Sequence, residues 1–344
     1  MKARNIKGEN MQTLLGKKKH FYKANLHCHS TYSDGKYSVE RLKEEYQKRG
    51  YAIVAFTDHE HLIDNSRLTD ENFLAITACE IAIKEFPTQS TLKNFDMRVC
   101  HLNFYALDAH NTITPCYSSI YDHYITDEIK DKIVYEKEYE RVYSAQGINE
   151  MIKVAREKGF IVSYNHPRWS LETAQDYLQY EGLFAVEIYN HGCVVNGHLD
   201  DERAFDDMLR SGKRIYCTAA DDNHNGTGFD GANCQSFGGW VEINADNLEY
   251  GEIMNALQTG DFYASTGVKI FSLTREGEKV KIQTSPCTQI ALLTRGRRTK
   301  AVNAPHGETL TETEFTLHPA DGYFRIRATD AEGKKAYTQA YQID

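Results

Sequence analysis

Two histidines separated by one residue give the first chemical signal in the chain. The segment 25–30 has the sequence Asn-Leu-His-Cys-His-Ser, and a Ser-Asp-Gly turn follows with Asp34 at its centre. Residues i and i+2 of an extended segment point to the same side of the backbone, so His27 and His29 are expected to present their rings together. Alone the pair is a weak signal, because such motifs occur by chance. With a carboxylate on the next turn, it predicts the beginning of a metal site.

Further residues of metal-binding type follow short apolar runs. The runs over 51–57 and 160–164 are typical of buried strands, and they alternate with amphipathic helical patterns over 38–49, 147–158 and 199–211. This alternation predicts an α/β domain with a largely parallel sheet. In α/β barrels the functional side chains gather at the carboxyl ends of the strands. The candidate ligands at these ends are His27, His29, Asp34, His59, Glu80, His101, His166, Asp222 and His224.

The chemistry of these side chains indicates transition metals. Imidazole and carboxylate suit zinc, manganese or iron, whereas calcium and magnesium prefer oxygen ligands. Nine groups are too many for one ion and fit two or three divalent ions with a bridging carboxylate. Individually, His101 and His166 could be hydrogen-bonded core histidines and Asp222 a turn residue. Their joint placement at successive predicted strand ends favours the metal interpretation.

Composition limits the classes of function. The 344 residues carry a net charge of −9, which disfavours long nucleic acids as partners. No apolar run approaches the ~18 residues of a membrane span, so no membrane partner is expected. The eight cysteines form no C-x-x-C pair and indicate free thiols in a reducing compartment. The expected location is therefore cytoplasmic, with a removed secretion signal as the alternative, and the oligomeric state is left open.

The pattern divides the chain into three parts. Residues 1–20 are expected to be an N-terminal tail, 21–270 the α/β domain with the candidate ligands, and 271–344 a small all-β, sandwich-like domain, because short alternating strands separated by glycine turns begin there. A charged, tyrosine-rich insertion over 108–146 interrupts the alternation of strands and helices. It is either a helical surface insertion or a lid or specificity element beside the strand that carries His101.

The ordered motifs resemble the PHP (polymerase and histidinol phosphatase) family of metal-dependent phosphoesterases. In chain order they are His-x-His with Ser-Asp-Gly (27–35), Thr-Asp-His (57–59), Glu80, His101, Asn-His-Pro (165–167) and Asp-x-His (222–224). The resemblance spans residues 20–270 and implies a distorted seven-stranded (β/α) barrel, similar to a TIM barrel. It also implies hydrolysis of phosphoesters.

By the same resemblance, the ligands would divide among three ions. The first ion would be held by His27, His29, Glu80 and Asp222, the second by Glu80, His101 and His166, and the third by Asp34, His59 and His224. Some family members have histidine where this chain has Asp34, and some hold two ions. The third site is therefore the one that the resemblance leaves open.

Two divalent ions a few ångströms apart can generate a hydroxide near neutral pH and clamp phosphoryl oxygens. We hypothesise that a metal-bridging hydroxide attacks a small phosphorylated substrate, a phosphomonoester or a nucleotide-type ester. Arg168 is a candidate catalytic residue that could grip the phosphate bidentately, with a surface ion pair as the alternative. His191 is the other candidate, as an acid for the leaving oxygen or as a substrate contact, with a structural role as the alternative.

Two further functions compete with phosphoester hydrolysis of small substrates. One is a nuclease acting on short oligonucleotides, and the other is a catalytically silent metal-binding protein whose β-domain binds a partner. The complete ligand set argues against the silent protein. Among the remaining polar residues, Thr57 and Asp58 are expected to orient His59 or the backbone, and His61 is expected at the surface.

Overall fold

The computed structural model describes residues 11–86 and 96–343. The strands within these ranges are β1 Gln12–Leu15, β2 His20–Cys28, β3 Ile53–Phe56, β4 Leu74–Lys84, β5 Val99–Ala106, β6 Phe160–Tyr164, β7 Ala185–Asn190, β8 Tyr216–Ala220, β9 Trp240–Ala245, β10 Phe262–Ser265, β11 Ile270–Glu276, β12 Lys279–Cys287, β13 Gln289–Thr294, β14 Lys300–Asn303, β15 Leu310–Thr316, β16 Tyr323–Thr329, β17 Lys335–Tyr337 and β18 Tyr341–Gln342. The α-helices are α1 Val39–Gln47, α2 Asp127–Lys130, α3 Ala145–Glu157, α4 Ala174–Tyr177, α5 His191–Val195, α6 Glu202–Arg210 and α7 Tyr250–Thr259. Short 3-10 helices cover Ser66–Leu68, Ser119–Tyr124 and Pro319–Asp321.

Most of these strands belong to one large mixed sheet. Its order is β14-β13-β16-β17-β10-β9-β2-β3-β4-β5-β6-β7-β8, and β18 pairs with β16. The pairs from β2 to β4 and from β6 to β8 are parallel, as predicted, but β5 is antiparallel to both neighbours. The start of β5 therefore lies at the same edge as the ends of the parallel strands. This is why His101, near the start of its strand, can reach residues that follow strand ends.

The strands β2 to β8 do not form a closed barrel. One edge of β2 is already paired antiparallel with β9. Within the described residues, β8 is not paired with β2 as a neighbouring strand; an isolated bridge joins Cys28, the last residue of β2, to Asn223, which follows β8. There His29 N donates to Asn223 O (3.3 Å) and Asp222 N donates to His27 O (2.9 Å). The α/β content is confirmed, but the closed seven-stranded barrel is not, because β9 occupies the edge that β8 would need.

The predicted helices that flank the sheet are confirmed with small shifts at their ends. The Ser38 side chain caps α1 by accepting a hydrogen bond from Arg41 N. Gly50 has a φ of 77°, a left-handed conformation that glycine adopts at little cost, and it turns the chain back toward β3. The buried faces of α3 and α6 pack on the sheet with residues such as Met151 and Phe205. The helices thus pack on the sheet through buried apolar side chains, while polar candidate residues lie in loops beyond strand ends.

The C-terminal region is rich in β-structure, as predicted. A second sheet has the order β1-β11-β12-β15, and it faces the β13 and β16 end of the large sheet across a core that includes Leu273, Ile282, Ile290 and Phe324. Residues 12–15, which the sequence places in the tail, pair with β11 as β1. Strand β10 pairs with both β9 and β17, so the large sheet continues from the α/β part into the C-terminal part.

The insertion over 108–146 packs against β4 and β5. Its elements are the 3-10 helix Ser119–Tyr124 and α2, joined by irregular chain. Tyr121 packs on Ala82 of β4 and Val99 of β5. The insertion therefore lies beside the strands that carry Glu80 and His101.

All eight cysteines are free, as predicted, and all but Cys234 are buried. No helix among the described residues is both long and apolar enough to cross a membrane.

Candidate metal centre

The structure brings all nine candidate ligands together at one edge of the sheet. They form three groups, and within each group one ligand atom per residue lies within 4.8 Å of the others. The groups are His27, His29, Glu80 and Asp222; Glu80, His101 and His166; and His29, Asp34, His59 and His224. They match the sets implied by the resemblance, with His29 added to the third. Their assignment as metal ligands stays a prediction.

Glu80 lies at the centre of the cluster, in the middle of β4. Its Oε1 is 3.0 Å from His101 Nδ1 and 3.3 Å from both His166 Nε2 and His27 Nε2. Its Oε2 is 3.2 Å from His59 Nδ1. Each carboxylate oxygen thus faces a different set of imidazoles, which is the position expected of a bridging ligand.

Asp222 completes the first group from the loop after β8. Its Oδ1 lies 3.2 Å from His27 Nε2 and 3.1 Å from His29 Nε2, and those two nitrogens are 3.2 Å apart. Asp222 has a φ of 51°, in the left-handed region that aspartate tolerates better than most residues. This backbone conformation directs the carboxylate toward His27 and His29. The strained residue is thus also a candidate metal ligand.

The donor set fits divalent metal ions. Within the described residues, the buried atoms His29 Nδ1, His59 Nδ1 and Asp222 Oδ1 have no hydrogen-bond partner, although such atoms normally have one. Donors bound at ~2.0–2.1 Å in a tetrahedral shell lie roughly 3.4 Å apart. The separations of 3.2 and 3.1 Å from Asp222 Oδ1 to the histidine nitrogens are close to that spacing.

The charge states of two central groups also suit metal binding. Burial lowers the pKa of His29 to about 4, and the nearby positive charge of His224 adds to the effect. Burial disfavours the charge of Glu80, but His101 and His27 outweigh it and hold the pKa of that carboxyl well below its ordinary value. At neutral pH His29 is therefore neutral and Glu80 ionised, the forms that bind metals.

Glu187 on β7 is a functional residue that sequence reasoning missed. It is buried, and its Oε1 lies 3.1 Å from His27 Nδ1. Its Oε2 accepts hydrogen bonds from His166 N (3.2 Å) and from Asn190 Nδ2 (2.8 Å). A carboxylate on the second nitrogen of a ligating histidine fixes the ring and its tautomer. The available signal was a single glutamate inside the apolar strand 185–189.

Replacing Glu187 with glutamine should weaken metal binding while keeping the fold. Glutamine has the same size, but it has no charge and only one acceptor oxygen. It therefore cannot accept from both His27 Nδ1 and His166 N, as the two oxygens of Glu187 do. The affinity for Zn²⁺ or Mn²⁺ should fall about 10- to 100-fold. Metal titration followed by elemental analysis measures this. Glu181→Gln is the matched control, because that carboxylate is exposed and pairs with Lys213. Equal affinities in the two variants would show that Glu187 does not support the centre.

The neighbouring polar residues mostly support the backbone, as predicted. Asp58 accepts hydrogen bonds from Ser30 N, Ser30 Oγ and Ser33 Oγ, each at 2.7 Å, and so fixes the loop after His29. The surface prediction for His61 is wrong. This residue is fully buried, and its Nδ1–H donates to His59 O at 2.7 Å.

The two predicted catalytic residues lie outside the three ligand groups. Arg168 has a half-exposed side chain whose Nε is 3.9 Å from Asp201 Oδ1. The Nδ1 of His191 lies 3.1 Å from Tyr189 OH, and its ring fills the space beside Gly238, where a Cβ atom would clash. The roles of Arg168 and His191 stay predictions.

Two aromatic side chains flank the cluster. The Tyr124 ring of the insertion lies 4.7 Å from the His59 ring, centroid to centroid. On another side, Trp169 lies 5.2 Å from His101 and 4.9 Å from His166. Trp169 is 42% exposed, so its indole lies between solvent and the imidazoles of His101 and His166.

A family model for the PHP domain matches residues 25–225. The chain belongs to the PHP domain family. The match includes all nine candidate ligands, so the centre described above lies wholly inside the PHP domain. No curated protein matches the chain.

Solved structures of other proteins are similar to this PHP domain protein. One is a two-domain protein from Bacteroides vulgatus, described as containing a predicted PHP-like metal-dependent phosphoesterase, with 16% identity, 98% of each chain covered and a TM-score of 0.46. Another is an amidohydrolase from Chromobacterium violaceum with bound sulfate and no metal, with 13% identity, 58% of this chain and 87% of that chain covered, and a TM-score of 0.37.

Proposed function

We propose that this protein is a metal-dependent hydrolase of small phosphoesters, acting on a phosphomonoester or a nucleotide-type substrate. The observation that carries the proposal is the position of Glu80, which faces imidazoles through both of its oxygens. Such a carboxylate could serve as a ligand to two ions, and pairs of divalent ions are used by many phosphoester-hydrolysing sites. Membership of the PHP family supports the same class of reaction.

The chain's own residues define how such a centre would work. The first ion would be held by His27, His29, Glu80 and Asp222, the second by Glu80, His101 and His166, and a third by Asp34, His59 and His224. Bound zinc, manganese or iron would supply Lewis acidity and an activated water. Glu187 orients His27, and Asn190 joins Glu187 to Asp222 by donating to both carboxylates at 2.8 and 2.9 Å. These contacts hold the ligands in place before any substrate arrives.

Metal content and ester hydrolysis together test the proposal. We expect about two or three ions per chain by elemental analysis, and Mn²⁺-supported release of p-nitrophenol from its phosphate monoester. The His27→Ala variant should lose activity, whereas His110→Ala should not, because His110 is exposed and its ring pairs with Asp64 at 2.8 Å, outside the three ligand groups. A protein that binds no metal, or a His27→Ala variant as active as the wild type, would contradict the proposal. Turnover of bis-p-nitrophenyl phosphate would favour the nuclease alternative.

A further inference from the structure

Lys84 places a positive charge on the strand that carries Glu80. The two residues are four positions apart on β4, so their side chains lie on the same face of the sheet, about 13 Å apart along the strand. Ala82 lies between them, and the residue paired with it across the sheet is His101. Lys84 therefore belongs to the face that forms the metal centre, further along the strand than the ligands.

The insertion holds Lys84 in this position. Its Nζ donates to Tyr124 OH at 3.1 Å and lies 3.5 Å from His123 Nε2. The backbone N of Lys84 donates to Tyr121 OH at 3.1 Å. The Tyr124 ring centroid lies 4.8 Å from Nζ and 4.7 Å from the His59 ring. The Tyr124 side chain thus contacts both the ammonium group and a candidate metal ligand.

Lys84 has no anionic partner among the described residues. Its side chain is half-buried, and no carboxylate in residues 11–86 and 96–343 lies within 4.0 Å of Nζ. The carboxylate of Glu60 acts on it from a distance but is paired with Arg141 at 2.6 Å. Burial lowers the pKa of Lys84, which shows the cost of holding this charge without a counter-ion. An anion arriving from solution would offset part of that cost.

We propose that Lys84 binds an anionic oxygen of the phosphoester substrate, and that Tyr124 and His123 position its ammonium group. The inference rests on the proposed function for the identity of the ester. It assigns the insertion a role in substrate recognition. Tyr124 then links Lys84 to the candidate metal centre, because its ring packs on His59 and its hydroxyl accepts a hydrogen bond from Lys84.

Phosphate binding tests the proposal independently of turnover. With Mn²⁺-loaded protein and inorganic phosphate in a calorimetric titration, Lys84→Met should raise the Kd about tenfold or more, whereas Lys84→Arg should stay close to the wild type. The KM for p-nitrophenyl phosphate should rise in parallel, with kcat within a factor of about two. Tyr124→Phe should give a smaller rise in both constants. Lys130→Met is the matched control, since this exposed lysine of the same insertion pairs with Asp127 at its surface.

The possible results separate this inference from the proposed function. Unchanged Kd and KM in Lys84→Met, with normal metal content, would overturn the inference even if the wild type hydrolyses the ester. A metal-loaded wild type that binds no phosphate would also overturn it. Phosphate binding that depends on Lys84 in a protein that hydrolyses no ester would support the inference and contradict the proposed function.

Discussion

Glu80→Gln is expected to lower phosphoesterase activity by about 1000-fold or more and to reduce the number of bound ions. Glutamine keeps the volume of the side chain but removes its negative charge and turns one acceptor oxygen into a donor. Glu80 Oε1 and Oε2 face His101, His27 and His59 at 3.0 to 3.3 Å, so one substitution disturbs more than one ligand group. A 1000-fold fall in rate corresponds to the loss of about 4 kcal/mol of transition-state stabilisation by the bound ions.

The control for this variant lies just beyond the end of the same strand. Glu85 is bound to Arg98 at 2.8 Å and contacts none of the nine candidate ligands within the described residues, so Glu85→Gln should keep full activity and metal content. Elemental analysis and p-nitrophenol release, measured on both proteins at equal Mn²⁺ concentrations, give the comparison. Activity within tenfold of the wild type in Glu80→Gln would contradict the bridging position assigned to this carboxylate.

The sequence predicts the candidate ligands well because their signals are local. A histidine or carboxylate directly after an apolar run is visible without knowing which strands are neighbours, and His27 and His29 share a side of the chain by backbone geometry alone. Glu187 is different, because its importance depends on a partner 160 positions away in the chain. Only the pairing of strands shows that the one charged residue of an apolar strand meets His27.

Pairing between strands that are distant in the chain also explains why parts of the predicted fold are wrong. Closure of the barrel fails because β2 pairs with β9, which lies more than 200 residues later. Strand β1 has four residues, too few for its alternation to be recognised before its pairing with β11 is known. His61 follows two polar residues and so resembles a surface histidine. It is buried because the chain turns inward at Glu60, which has a φ of 70°.

The Arg141→Met variant is expected to lower the free energy of unfolding by about 3–5 kcal/mol. Arg141 forms an ion pair with Glu60 at 2.6 Å, and both side chains are only 1% exposed. Its guanidinium also donates to Ala82 O at 2.8 Å and to Cys116 O at 2.9 Å. Methionine fills similar space but leaves the Glu60 carboxylate buried without a counter-charge, which is the costly outcome for a buried pair.

Urea unfolding with a double-mutant cycle measures this contribution. Replacing Glu60 with glutamine as well should restore part of the lost stability, because the unpaired buried charge is then removed. Arg203→Met is the control, since its exposed pair with Asp207 should contribute at most about 1 kcal/mol. A loss below that amount in Arg141→Met, or no recovery in the double variant, would contradict the buried-pair argument.

The pH dependence of the Arg141→Met variant provides an independent check. Burial already raises the pKa of Glu60 despite the nearby Arg141, so removing the arginine should raise it further. A carboxyl whose pKa is higher in the folded than in the unfolded state binds protons on folding, and its penalty therefore shrinks as pH falls. The variant should lose less stability at pH 5 than at pH 8.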